Sequence, residues 1–201
     1  MSHERDVAAF GARAPRYEEG RLGRMHHEIA DAVLAIALAL DPTPDRLLDV
    51  GCGTGYLLRQ AAARLPAASE LVGVDPAAGM IAVARTAAAD HRLMFRAGVA
   101  EELPFADASF DLVVATTSFD HWSDQRAGLS EVARALRPGG HFVLADLLSL
   151  WLMPTVLTLR RGRARTIRRA HSLLEDVGLQ PIGRQSVHTV VQAVSARRPL
   201  G

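Results

Sequence analysis

Lysine is absent from this 201-residue chain. The 23 basic residues are all arginine and face 22 acidic ones, which leaves a formal charge of +1. With the high alanine content, this is a mark of base composition rather than of function. A charge so near zero gives no overall attraction to nucleic acid or to an anionic membrane. One cysteine is present, Cys52. It excludes an internal disulfide and argues for a reducing compartment. No CxxC pair and no HExxH spacing occurs, so no metal site is expected. No apolar run is long enough to span a bilayer. Ala32 to Leu40 is too short and reads as the buried end of a helix. Met1 to Asp6 is charged and has no apolar h-region, so no signal peptide is indicated and a cytoplasmic protein is expected.

What is present is an ordinary globular balance, 49% apolar and 22% charged, in a length that suits one domain with a sizeable core. The most informative run is Leu47 to Gly55, LLDVGCGTG. A short apolar strand passes an acid and enters three alternating glycines. Gly51, Gly53 and Gly55 allow a tight turn and leave no Cβ between backbone and ligand. Tyr56 to Leu65 reads as a helix, so the loop opens onto a helix N-terminus, as in open α/β sheets that bind nucleotide-like cofactors.

The spacing discriminates between cofactors. A dinucleotide fingerprint needs a glycine where Tyr56 stands. Asp49, beside the loop, would repel a pyrophosphate and attract an ammonium group. A cofactor with an amino-acid tail, such as S-adenosylmethionine, fits that charge better than NAD. A second apolar strand, Leu71 to Val74, ends in Asp75. It lies about 20 residues after the loop, the offset of an acid that accepts hydrogen bonds from a ribose diol.

Strand patterns are expected near 46–50, 70–74, 92–96, 111–116 and 141–146. Helices are expected near 21–40, 55–65, 77–89, 125–136 and 166–177. The alternation implies a parallel sheet covered on both faces. Residues 1–20 read as polar, with few core positions. Pro138-Gly139-Gly140 reads as a turn before the fifth strand, and Gly178 as a helix C-cap. Ile182 to Val187 and Thr189 to Ser195 suggest a hairpin.

Four runs carry a family resemblance: Leu47 to Leu58, Leu71 to Met80 (LVGVDPAAGM), Gly98 to Leu112 (GVAEELPFADASFDL) and Leu136 to Asp146 (LRPGGHFVLAD). In order and spacing they resemble the Rossmann-like S-adenosylmethionine-dependent methyltransferases, in particular the ubiquinone/menaquinone-biosynthesis branch and its small-molecule relatives. The resemblance covers roughly residues 10–148 and is weak beyond Leu148. It implies a doubly wound α/β sheet of seven mostly parallel strands, ordered 3-2-1-4-5-7-6, with helices on both faces and the last strand antiparallel. It also implies a single domain over 1–201, with a capping segment at 1–40, a cofactor-binding core at 45–148 and a C-terminal segment at 149–201.

The residues and the resemblance together assign the site. Backbone groups of Gly51 and Gly53 approach the cofactor's homocysteine moiety, Asp49 holds its ammonium and Asp75 accepts from the ribose. The resemblance puts Met80 on the adenine face, Ala100 at the adenine edge, and Cys52, Pro76 and Thr116 along the same site. It also puts Tyr17 near the cofactor carboxylate. Val99 stands where the family commonly has an aspartate for the adenine amine. Glu101 or Glu102 takes its place, or water does, and cofactor binding is expected to be weaker by about 1 kcal/mol.

His121 is the candidate general base, since it follows the fourth strand at the end of the sheet where ligands bind, with Asp120 as its orienting partner. His26 and His27 lie on the N-terminal helix; if that helix crosses the acceptor pocket one of them faces substrate, and a solvated pair is the preferred reading. Arginines at 160, 161, 163, 165, 168 and 169 read as a solvated face; no aromatic interleaving marks them for nucleic acid. The expected partner is a small-molecule acceptor. The oligomeric state is not readable. A non-catalytic S-adenosylmethionine-binding module and a nucleotide-dependent oxidoreductase stay open as rivals, the second weakened by Tyr56.

Overall fold

A computed structural model describes residues 3–148, 166–189 and 191–200. Seven strands form one sheet in the order β3-β2-β1-β4-β5-β7-β6. Strands β1 (Arg46–Val50), β2 (Glu70–Asp75), β3 (Leu93–Ala97), β4 (Phe110–Thr116) and β5 (Leu136–Asp146) pair in parallel. β7 (Gln192–Arg197) runs antiparallel between β5 and β6 (Gln180–Ser186). The sheet is the one expected, down to its strand order.

The central strands are buried on both faces, which is why they read as nearly unbroken apolar runs. Alternate residues feed two cores. Leu47, Leu71, Leu112 and Val114 pack toward α2 (Gly20–Leu40), α3 (Tyr56–Arg64) and α4 (Ala78–Ala87). Leu48, Val72, Val113 and Phe142 pack toward α5 (Gln125–Ala135) and α6 (Ile167–Asp176). Asp124 caps α5, its carboxylate accepting from the N–H groups of Arg126 and Ala127. Gly178 ends α6 in the left-handed region, at φ 81°.

Two expectations change. Pro138-Gly139-Gly140 is not a turn ahead of β5 but an irregularity within it. Phe110 sits opposite Leu136 and Leu112 opposite His141, so five residues of one strand face two of the other. The N-terminal stretch is not merely polar: His3–Arg13 is a helix, α1, followed by a 3-10 turn at Ala14–Arg16. Val7, Phe10 and Ala14 share one face at the i, i+3, i+7 spacing and pack against Met80 and Ala77 of the α4 region.

α1 approaches α4 through two glycines. A Cβ at Gly79 would fall 2.5 Å from the carbonyl oxygen of Gly11. Backbone cannot yield there as a side chain can, so Gly79→Ala is expected to push α1 off its seat. Faster amide exchange over residues 3–13, with the sheet unchanged, is the measurement that checks it.

The arginines at 160, 161, 163 and 165 lie outside the described residues; Arg168 and Arg169 are exposed on α6. Among the described residues, no helix is long and apolar enough to cross a membrane.

Candidate functional site

Two cavities meet at the carboxyl ends of β1, β2 and β4. The first, with an empty volume of about 730 Å³, is walled by Gly51, Gly53, Asp75, Pro76, Met80, Val99, Ala100 and Glu101, and closed by Asp6, Val7 and Phe10 of α1. The second, of about 490 Å³, is walled by Asp49, Cys52, Thr54, Tyr56 and, from α2, His26 and His27. Tyr17, Gly51, Gly53, Thr116 and Thr117 belong to both.

The glycine loop is held by its neighbours. Gly51 and Cys52 donate their N–H groups to the Val74 carbonyl, and Gly51 adopts φ 81° and Gly53 φ 52°. Both angles lie where only glycine sits without strain. A Cβ on Gly53 would meet only Tyr17, at 4.0 Å, so its bare face looks onto open cavity. Asp75 ties the loop to β2. One carboxylate oxygen accepts from Gly53 N–H at 3.0 Å and the other from Ala77 N–H at 2.8 Å. Each oxygen keeps a second lone pair for a ligand hydroxyl.

Asp49 is 2% exposed and its Oδ1 has no hydrogen-bond partner. Burial, and then the charge of Asp75, push its carboxyl up to about 8. A buried acid with an unused oxygen is costly unless a cation completes it. Burial likewise raises the Cys52 thiol well above its ordinary value, helped by Asp49 and Asp75, which leaves it without nucleophilic character.

Tyr17, in the turn that follows the 3-10 segment, lines both cavities. Its hydroxyl is pushed up to about 12, chiefly by burial, against the opposing charge of Arg13. Glu18 anchors the segment that carries it. Its carboxylate accepts from Thr54 Oγ1 at 2.6 Å and from Arg59 Nη2 at 2.7 Å. Burial works to raise Glu18, but these hydrogen bonds and the Arg59 charge outweigh it, and the net shift is downward.

His121 lines the first cavity, and the carboxylate of Asp6 lies beside its ring, with Oδ2 3.8 Å from Nδ1. Phe10 packs edge-on against the ring at 4.9 Å. Asp120 donates its backbone N–H to the Asp146 carboxylate at 3.1 Å. Glu101 lines the cavity near Val99 and accepts from Asp124 N–H at 2.9 Å, whereas Glu102 is exposed.

Several lining residues escaped the sequence reading. Asp6, Val7 and Phe10 were open to discovery through their helical spacing. His26 and His27 form walls of the second cavity rather than a solvated pair. Thr117 gave no local signal: it is a β-branched residue at φ 50°, a strained conformation that costs roughly 1–3 kcal/mol and is typical of ligand sites.

An acid-tipped β1, a left-handed glycine loop and a second acid on β2 thus surround one crevice of a seven-stranded α/β protein. Residues 48–144 match the methyltransferase domain family, and the chain belongs to the Rossmann-like S-adenosylmethionine-dependent methyltransferases. Over 140 residues it is 37% identical to the demethylmenaquinone methyltransferase of Thermus thermophilus, covering 68% of this chain and 63% of that protein. Over 156 residues it is 34% identical to the malonyl-acyl-carrier-protein O-methyltransferase of Methylococcus capsulatus, covering 71% and 54%. The chain therefore spans between about half and two-thirds of the length of these curated relatives. A SAM-dependent methyltransferase from Aquifex aeolicus shares the fold, with a TM-score of 0.75 at 16% identity over 94% of this chain and 98% of that one.

Proposed function

We propose that the chain is a methyltransferase that moves a methyl group from S-adenosylmethionine to an oxygen, nitrogen or carbon atom of a small-molecule acceptor. The observation that carries the reading is the buried, incompletely bonded Asp49 carboxylate beside the bare glycine loop. An ammonium group completes that acid, and the backbone at Gly51 and Gly53 leaves room for the chain that bears it. Asp75 would take the ribose hydroxyls, while Met80, Val99 and Ala100 line the nucleoside side.

The bound cofactor supplies an electrophilic sulfonium methyl group for an in-line displacement. The protein's own part is alignment, which can contribute ~7–11 kcal/mol. α1 excludes water, with Val7 and Phe10 over the cavity. His121 is the group placed to accept a proton from an acceptor, and Asp6 holds its ring. His121→Ala is expected to lower turnover by roughly 10²-fold. Calorimetric affinity for S-adenosylhomocysteine should stay within about twofold, since the ring makes no part of the Asp49 and Asp75 contacts. Unchanged turnover would remove His121 from the mechanism.

The two relatives named above act on different acceptors, so the acceptor is left to a screen. The test of the whole reading is calorimetric titration with S-adenosylmethionine and S-adenosylhomocysteine, with NADH as control. Binding of the first two, lost in Asp75→Ala, supports it. Binding of NADH alone overturns it in favour of an oxidoreductase. Binding with no methyl transfer to any acceptor favours a non-catalytic module.

A further inference from the structure

A third space shares Tyr17 with the two cavities. It is an open depression with an empty volume of about 900 Å³, its mouth included, and Arg13, Arg16, Glu19 and Leu22 help to line it. Its make-up follows from the local backbone. Arg13, the 3-10 turn Ala14–Arg16 and Tyr17 form one short helical run, with Arg13 and Tyr17 both in the right-handed region. Residues three apart eclipse in a 3-10 turn, so Arg13 and Arg16 fall on one side. α2 then starts at Gly20 and brings Leu22, which is 52% exposed, to the same depression.

Both arginines are exposed, and among the described residues no carboxylate pairs with either. Arg46, Arg59 and Arg134, by contrast, are paired with Glu70, Glu18 and Glu131. The Arg13 guanidinium rests over the Phe10 ring, 5.1 Å from its centroid, and Phe10 in turn lines the first cavity.

We propose that this depression binds the charged end of the acceptor, so that the acceptor is an amphipathic oxyanion, its carboxylate or phosphate on Arg13 and Arg16 and an apolar part on Leu22. The assignment rests on reading the chain as an S-adenosylmethionine-dependent methyltransferase and names the substrate class that the reading leaves open.

The charge distribution favours this placement. Two guanidiniums against the one carboxylate of Glu19 leave the depression cationic. A guanidinium presents paired N–H donors that match the oxygens of a carboxylate or phosphate. The two cavities are walled by acids instead, Asp6, Asp75 and Glu101 in the first and Glu18 and Asp49 in the second. An anionic acceptor is therefore drawn to the arginines and repelled from the walls beyond Tyr17. The arginine field reaches that far. Burial raises the Tyr17 hydroxyl and lowers His26, and in both the charge of Arg13 is the next influence. An exposed leucine alone needs no explanation. Beside two unpaired guanidiniums it completes a surface for a molecule with one charged and one apolar end.

The test uses protein saturated with S-adenosylhomocysteine, titrated with octanoate, octyl phosphate, octanamide and inorganic phosphate and followed by amide shifts and calorimetry. The two amphipathic anions should bind about fivefold or more tightly than octanamide, with shifts centred on residues 12–22. The tighter of the two identifies the oxyanion. Arg16→Gln removes a side chain with no hydrogen bond or ion pair among the described residues, so the fold should not suffer. It should weaken both anions about threefold, and the double variant Arg13→Gln/Arg16→Gln about tenfold. Leu22→Ser should weaken octanoate and leave inorganic phosphate unchanged. Arg168→Gln/Arg169→Gln, an exposed pair on α6, is the control and should change nothing. Affinity for S-adenosylhomocysteine should hold within about twofold in every variant. Equal binding of octanoate and octanamide, shifts centred elsewhere, or an equal loss in the α6 control overturns the assignment. A matching loss of S-adenosylhomocysteine affinity in Arg16→Gln also overturns it, since the arginines would then serve the cofactor. A neutral acceptor turned over faster than the matching acid overturns it as well. Failure of wild type to bind S-adenosylhomocysteine overturns the cofactor reading, and this assignment with it, whatever the anions do.

Discussion

Asp49→Asn is expected to make the ligand-free protein more stable and most of its ligand affinity disappear. The folded protein keeps the Asp49 proton up to about pH 8, whereas an unfolded chain releases it near 3.8. The folded state therefore binds the proton more tightly, and stability falls as pH rises between those two values. Asparagine has no proton to lose and removes the slope. Its amide still lacks a full set of partners, so the gain at pH 8 should be only about 2 kcal/mol. For a chain of this size that is a rise of roughly 4–8 °C in Tm, shrinking at pH 5. The same change removes a charge-assisted bond to the ligand ammonium, worth ~1.5–3 kcal/mol, or about 10- to 100-fold in affinity. Thermal unfolding at two pH values, with and without S-adenosylhomocysteine, measures both halves. A fall in ligand-free stability would show that Asp49 is satisfied by something within the fold.

Gly51→Ala should be severely damaging. The new Cβ would stand 2.3 Å from Ser118 Cβ and 2.5 Å from its Oγ, at a φ of 81°. The clash cannot be relieved cheaply. Ser118 Oγ donates to the Val50 carbonyl at 2.8 Å, and Gly51 N–H donates to Val74 at 2.7 Å. Left-handed strain alone costs ~1–2 kcal/mol, and displacement of these two bonds about as much again. Ligand binding should be lost with them, because the loop is the floor of both cavities. Gly178→Ala is the control. It has the same φ, nothing within 4 Å of its Cβ and a place far from the site. Denaturant unfolding should show about 1 kcal/mol lost there and binding unchanged.

The parts of this molecule that were legible in its sequence are those whose signals are local. Asp49, the glycine loop and Asp75 sit on adjacent parallel strands, and each strand announces itself by an apolar run ending in an acid. Strand order followed from the resemblance, since nothing in the β7 sequence alone says that it inserts between β5 and β6. The N-terminal helix was missed because Val7 and Phe10 are its only large apolar residues, set among charged and small ones. Asp6, beside His121, was missed for a different reason. Asp6, 115 residues earlier in the chain, arrives only when α1 folds across the cavity.

Tyr17, Gly51, Gly53, Thr116 and Thr117 are common to both cavities, and they form a neck between two chambers. A molecule that fills both crosses this shared wall between the carboxylates of Asp49 and Asp75. A nucleoside joined through two phosphates would bring an anionic bridge to that place, whereas one joined to an amino acid through a sulfonium would bring a cation.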